Sequence, residues 1–272
     1  MNRLTANLFC FLLILHFSVY SQSNSDTSFC TKIIGHKCGY QETFIPNSLS
    51  SIKQNIKNFD GVEMDVYLSR DRTLWLTHNQ WLDIYDSTIQ SNILKLHDTD
   101  IETINQYGKG HFEYTKLEDV FQFISQNYPD KYISLDIKPW IPTSMSSLNI
   151  PHLRKTIAQK ICVMQKNYGL KNILIESESV QLIRNIKKHN TDIECYLLAL
   201  KNPSKMVKKA IRKKIDGISY KYFSKPKLTI DDINRLHKNN CKIQVWTINS
   251  IEDYKKCKSL NIDFIQTDII TK

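Results

Sequence analysis

The sequence predicts an α/β fold: a TIM (β/α)8 barrel with an inserted loop or subdomain after the second strand and a missing or vestigial eighth helix. Two observations predict it. Eight short apolar strands alternate with seven amphipathic helices along the chain, and the repeated unit calls for a parallel sheet that closes on itself. The composition is that of one large folded domain, with 272 residues, 41% hydrophobic and 24% charged, which excludes general disorder.

The first segment stands outside that fold. Arg3 supplies a basic start, residues 8–19 form a short apolar run, and Val19-Tyr20-Ser21 has the small-x-small spacing of a cleavage site. Residues 1–21 therefore read as a secretory signal peptide, and residues 22–272 as a single exported domain, periplasmic or secreted. The run is shorter than the ~20 residues of a spanning helix, so no stable membrane anchor is expected.

Residues 32–36 are the first strand, and Leu49, Ile52, Ile56 and Phe59 mark the first helix face. Residues 61–68 alternate with period two, Val62, Met64, Val66 and Leu68 on one side and Glu63, Asp65 and Tyr67 on the other. Residues 79–114 lack clear periodicity and read as the insertion. Trp81, Tyr85, Tyr107 and Tyr114 are its candidate core, or alternatively an aromatic wall for a quaternary ammonium head. Thr115 with Glu118 has the form of a capping box before a helix carrying Leu117, Val120, Phe121 and Ile124.

Strands at 132–137, 172–175, 193–199, 216–219, 243–246 and 264–266 follow, separated by helices marked by Leu153 to Met164, Val180 to Ile186, Met206 to Ala210, Ile230 to Leu236 and Ile251 to Leu260. Ser250 with Asp253 is a looser helix-start signal. Only four residues follow Asp268, hence the expectation of a vestigial eighth helix.

Lys and Arg outnumber Asp and Glu by 37 to 27, a formal net charge of +10. The densest runs, 205–214 and 255–258, fall on predicted helices and read as their solvated faces. No nucleic-acid motif accompanies them, so no nucleic-acid partner is expected, although a positive surface favours anionic substrates. Nothing in the sequence specifies an oligomeric state. Of the six cysteines beyond the leader, Cys30 and Cys38 are the expected disulfide pair, while Cys195 and Cys241 read as small buried hydrophobes.

In a TIM barrel the chemistry sits at the carboxyl ends of the strands. Those positions hold His36, Glu63, Asp65, His78, Asp136 and Lys138. Glu63 and Asp65 are two apart, so both carboxylates leave the same side of one strand, and they repel unless a cation lies between them. An oxygen-only cluster suits one divalent ion, Ca²⁺ or Mg²⁺, better than zinc. Two histidines beside it serve either as ligands or as a general acid–base pair, and Lys138 with the ion would balance charge on a phosphoryl group.

The quoted residues also carry a resemblance. Ile34-Gly35-His36-Lys37-Cys38-Gly39, Asn47-Ser48, Glu63-Met64-Asp65-Val66 and His78-Asn79, the last beginning thirteen residues beyond Asp65, resemble the ordered motifs of the glycerophosphodiester phosphodiesterases. Leu135-Asp136-Ile137-Lys138, Val245-Trp246-Thr247-Ile248-Asn249 and Thr267-Asp268 resemble that family's later motifs. The resemblance implies a metal-dependent barrel that hydrolyses a small glycerophosphodiester to glycerol phosphate and an alcohol. Carried over by position, Glu63, Asp65 and Asp136 hold the metal, and His36 and His78 are the acid–base pair. Lys37 and Lys138 meet the phosphate, and Trp246 walls the glycerol or alcohol side.

Some positions depart from the family pattern. Lys37 replaces an arginine, so a bidentate grip becomes a point charge, and Cys38 is an extra residue before Gly39. Pro46 stands where many members have Glu, Arg72 takes the place of a turn glycine, and Asp136 is shorter than the usual Glu. Two other readings use the same residues: a barrel of the sphingomyelinase D type, and a non-catalytic exported barrel that binds phosphate esters.

Overall fold

The computed structural model describes residues 30–39, 44–84, 90–108, 110–138, 149–223 and 227–269. The predicted signal peptide, Tyr85 and residues 270–272, where an eighth outer helix would begin, lie outside them. Eight parallel strands close a barrel, β1 (Lys32–Gly35), β2 (Gly61–Leu68), β6 (Tyr132–Ile137), β7 (Ile173–Ser177), β8 (Glu194–Ala199), β9 (Gly217–Lys221), β10 (Lys242–Trp246) and β11 (Phe264–Thr267). Closure is explicit in the pairing of β1 with both β2 and β11.

Among the described residues seven helices flank the barrel: α1 (Leu49–Asn55), α3 (Leu117–Asn127), α4 (Ile150–Tyr168), α5 (Val180–His189), α6 (Pro203–Lys213), α7 (Ile230–Lys238) and α8 (Ile251–Ser259). Val62, Met64 and Val66 of β2 point outward into the layer shared with Ile52, Val120, Phe121 and Ile161. The alternating partners Glu63 and Asp65 therefore face inward, yet all eight residues of β2 are buried. A strand closed into a barrel has no solvent face below its rim, so the period-two pattern here separates two interiors rather than core from water.

Ile34, Leu174, Tyr196 and Phe264, with Tyr132 against them, fill the floor of the barrel. Above them Glu176 accepts hydrogen bonds from Ser134 (2.7 Å), Gln266 (2.6 Å) and Ser219, all buried. Strand register then sets the rim: Glu63 lies level with Ser134, Asp65 with Asp136, and Asp136 with Glu176.

The inserted segment, residues 79–114, shares a small core with the end of β2 and the strand that follows it. β3 (Leu74–Leu76) turns back antiparallel on β2, β4 (Trp81–Asp83) pairs with β5 (Gln90–Asn92), and α2 (Asp98–Tyr107) follows. Tyr67, Trp75, Leu82, Ile93 and Ile101 pack together, with Tyr114 against them. Two aromatics assigned to this core lie outside it, because Trp81 is 49% and Tyr107 66% exposed.

Two further expectations are corrected. The Thr115–Glu118 capping box does not form: α3 begins at Leu117 after Lys116, which gives no side-chain cap. A bridge from Lys116 to Trp75 keeps the chain extended there, and the Thr115 hydroxyl instead accepts the Leu49 N–H at the start of α1, at 3.0 Å. Cys30 and Cys38 are both free, the first exposed and the second buried; Cys195 and Cys241 are buried thiols as read. By contrast, Ser250 caps α8 by accepting from the Asp253 N–H at 3.1 Å, and the lysine runs at 205–214 and 255–258 lie on or beside outer helices.

Candidate active site

The site is built where β1, β2, β6, β10 and β11 end. His36 starts a short helical turn directly after β1, and Lys37, Cys38 and Gly39 take φ of 49°, 72° and 77° in succession. Left-handed backbone at two consecutive non-glycine residues costs energy and concentrates at functional sites. Here the turn aims the Lys37 N–H at Glu63 Oε2, 2.9 Å away. Asn47, also left-handed at φ 56°, grips Asp65 twice: its Nδ2 donates to Oδ2 and its Oδ1 accepts the Asp65 N–H, both at 2.9 Å. Arg72 occupies its turn at φ 68°, the conformation for which a glycine is the usual residue.

Glu63, Asp65 and Asp136 converge, each with an oxygen within 4.8 Å of the others. Lys138, with its ammonium 2.7 Å from Asp65 and hydrogen-bonded to Asp136, is among the described residues the one lysine lodged against them. Burial and the surrounding carboxylates push Glu63 well above its ordinary range and Asp136 up to about 7, even with Lys138 opposing the latter. Burial would raise Asp65 too, but Lys138 and His78 hold it below its ordinary value. Burial works against the charge on Lys138, yet Asp136 and Asp65 keep its pKa raised. One ammonium thus fails to neutralise three carboxylates with Glu176 beneath them. Asp136 Oδ1 is buried without a hydrogen-bond partner. This donor set, oxygen-rich, overcharged and with an orphaned oxygen, fits a hard divalent cation.

The histidines flank this cluster. His36 Nδ1 lies 2.7 Å from Asp268 Oδ1, and Asn249 Nδ2 donates to the other oxygen of Asp268 at 2.7 Å. Burial alone would raise Asp268, but these two hydrogen bonds keep its pKa low. His78 is exposed and its Nδ1 meets only Asn79 Oδ1, at 3.1 Å. Partial desolvation lowers its pKa, Asp65 opposes that shift, and Lys37 reinforces it. The Lys37 charge acts on Asp268 as well, helping to keep its pKa low.

Trp246 ends β10 on the same carboxyl-terminal rim. It lines a cavity of about 430 Å³ with Lys221, Phe223 and Asn249, and its Nε1 is buried without a partner. Lys221 lies 5.8 Å from its ring centroid. All eight predicted site residues therefore reach the carboxyl-terminal face. Lys138, read as a phosphate contact, is engaged with the carboxylates.

Four participants received no role from the sequence: Asn47, Glu176, Asn249 and Asp268. Asn47, Asn249 and Asp268 lay inside quoted motifs, but only the fold shows what each touches. Glu176 announced itself faintly, as one acid in the apolar run of β7.

The sequence profile of the glycerophosphoryl diester phosphodiesterase family matches residues 38–272. A glycerophosphodiester phosphodiesterase of Caldanaerobacter subterraneus subsp. tengcongensis is 24% identical over 251 residues, covering 88% of this chain and 94% of the relative. The crystal structure of a glycerophosphodiester phosphodiesterase from Thermotoga maritima superposes with a TM-score of 0.66 at 20% identity, covering 88% of this chain and 95% of the other. An Oleispira antarctica phosphodiesterase in complex with the product sn-glycerol-3-phosphate gives a TM-score of 0.71 at 18% identity, over 89% and 95%. Those likenesses establish a shared barrel.

Proposed function

Because the chain belongs to the glycerophosphoryl diester phosphodiesterase family, we propose that it hydrolyses a glycerophosphodiester to glycerol phosphate and an alcohol with the help of one divalent cation. The observation that carries this reading is the buried Glu63–Asp65–Asp136 cluster, flanked by two histidines, with an unpartnered oxygen on Asp136. These three carboxylates would hold Ca²⁺ or Mg²⁺, which supplies positive charge to the phosphoryl oxygens when bound.

The remaining roles fall to this chain's own groups. Lys138 and Lys37 add positive charge around the phosphate, as point charges rather than a fork. Asp268 orients His36 through Nδ1 and leaves Nε2 for the substrate, an arrangement suited to a general base. His36 takes a proton from the attacking water as its oxygen bonds to phosphorus, and His78 gives one to the departing alcohol oxygen as that P–O bond breaks. Trp246 would wall the glycerol side of the substrate from the cavity it lines. The basic start at Arg3 and the apolar run at residues 8–19 support export of the enzyme. Among the described residues no helix is long and apolar enough to cross a membrane.

The test is release of glycerol phosphate from glycerophosphocholine, glycerophosphoethanolamine and glycerophosphoglycerol. It is run with EDTA and again after Ca²⁺ or Mg²⁺ is restored. Release that stops on chelation and returns with one ion supports the proposal. No release from folded, ion-loaded protein would leave a phosphate-ester-binding barrel as the surviving reading.

A further inference from the structure

A second cavity, of about 190 Å³, opens on the His78 side of the mouth. It is walled by the inserted subdomain: Trp81, Asp83, Phe112, Glu113 and Tyr114 line it together with His78. Its walls are preset. Phe112 and Tyr114 stack with centroids 5.4 Å apart, and Asn105 clamps the Tyr114 backbone from both sides at 2.7 and 2.8 Å. The Tyr114 hydroxyl accepts the Asp83 N–H at 2.9 Å. Glu113 is fixed by the Ser50 N–H at 3.1 Å and Asp83 by Gln90 at 2.9 Å.

The charge here runs against the rest of the molecule. In a chain of formal charge +10, no lysine or arginine among the described residues lines this cavity, whereas two carboxylates do. His111 and His78, which also line it, carry charge only when protonated, and burial keeps the Tyr114 hydroxyl neutral by raising its pKa to about 12. A second phosphate would be repelled. The carboxylates also do not form a metal site, since among the described residues only Glu63, Asp65 and Asp136 converge closely enough for one. Aromatic faces combined with fixed carboxylates and no competing cation are the chemistry that holds an organic ammonium group.

We infer that this cavity is the subsite for the alcohol half of the substrate and that it selects alcohols bearing an ammonium group over neutral polyols. Trp81, Asp83, Glu113 and Tyr114 are its specificity-determining residues. The inference rests on the diesterase reading, with the alcohol leaving on the His78 side. Trp81 is exposed at 49% because its ring serves the cavity mouth rather than the subdomain core.

The experiment compares kcat/KM for glycerophosphocholine and glycerophosphoglycerol in the wild type and in the double variant Asp83→Asn, Glu113→Gln. Both amides keep an acceptor oxygen for the Gln90, Ser50 and Thr115 donors while removing charge. The wild type should prefer the choline ester about tenfold, and the double variant should bring that ratio near one, chiefly through KM.

A second measurement needs only the wild type: free choline should inhibit glycerophosphoglycerol hydrolysis competitively, at concentrations where its uncharged isostere 3,3-dimethylbutan-1-ol does not. Hydrolysis of both esters without ammonium preference, a ratio unmoved by the double variant, or equal inhibition by choline and its isostere would each overturn the subsite and leave the diesterase standing. No hydrolysis of either ester would bring down both.

Discussion

Asp136 and Glu63 are costly residues, buried carboxylates on neighbouring strands whose charges oppose one another. Glu63→Gln removes one of the three charged ligands. It should weaken divalent-ion affinity tenfold or more and lower turnover with it, measured by calorimetric titration beside the assay. His78→Ala should abolish turnover while ion affinity stays within about twofold; loss of the ion from a folded His78→Ala protein would make His78 a ligand instead. Asp268→Asn tests the other histidine. The amide keeps the shape but can present an N–H to His36 Nδ1, so kcat should fall on the order of 10²- to 10⁴-fold with ion binding intact. An Asp268→Asn enzyme of normal kcat would show that orientation of His36 contributes nothing.

Elements fixed these residues because each strand end carries one or two of them and the closed sheet leaves no slack in register. Gly217 shows how tight the closure is: a Cβ there would lie 2.2 Å from the Lys242 carbonyl oxygen and 2.7 Å from the Tyr196 ring. Gly217→Ala should therefore cost about 2–3 kcal/mol in urea unfolding, since the nearest clash is with backbone rather than a movable side-chain tip. A change below about 0.5 kcal/mol would mean β9 and β10 shift freely.

The same elements show where a linear reading stops. The outer helices were legible from apolar spacing, as in α5, where Leu182, Ile183 and Ile186 are buried. α2 was not, because Ile101 and Ile104 are its only buried residues and the rest of its surface is polar. The capping box failed for a related reason. Thr115 was claimed by Leu49, a partner 66 residues away, and spacing records only near neighbours.

For the whole molecule, the raised carboxylates link ion binding, folding and pH. Glu63, and Asp136 at about 7, bind protons in the folded chain that they release when unfolded, so without the ion they stabilise most below about pH 4. That contribution is lost as pH rises toward 7. Asp65 and Asp268, held low, act in the opposite sense and lose their contribution only below about pH 4. In EDTA the contribution of these four groups should therefore carry the melting temperature through a maximum near pH 4 and down toward neutrality. Ca²⁺ or Mg²⁺, which requires the deprotonated carboxylates, should raise it by an amount that grows from about pH 5.5 to 8. An ion-induced shift that is flat with pH would separate the cation from these carboxylates.

The sequence by itself determined the barrel, the inward aim of Glu63 and Asp65, and the family motifs. Each of these is written in local periodicity or in residues a fixed number apart, and a strand or helix enforces such spacing directly. Only the tertiary structure decided that Asp268 and Asn249 hold His36 across 232 residues of chain, that Asn47 clamps Asp65, and that Glu176 lies beneath the triad. It also turned the insertion from an aperiodic stretch into the wall of a charged, aromatic cavity beside His78. Those contacts join residues far apart in sequence, and the energies that select them arise only once closure has removed water and brought their charges together.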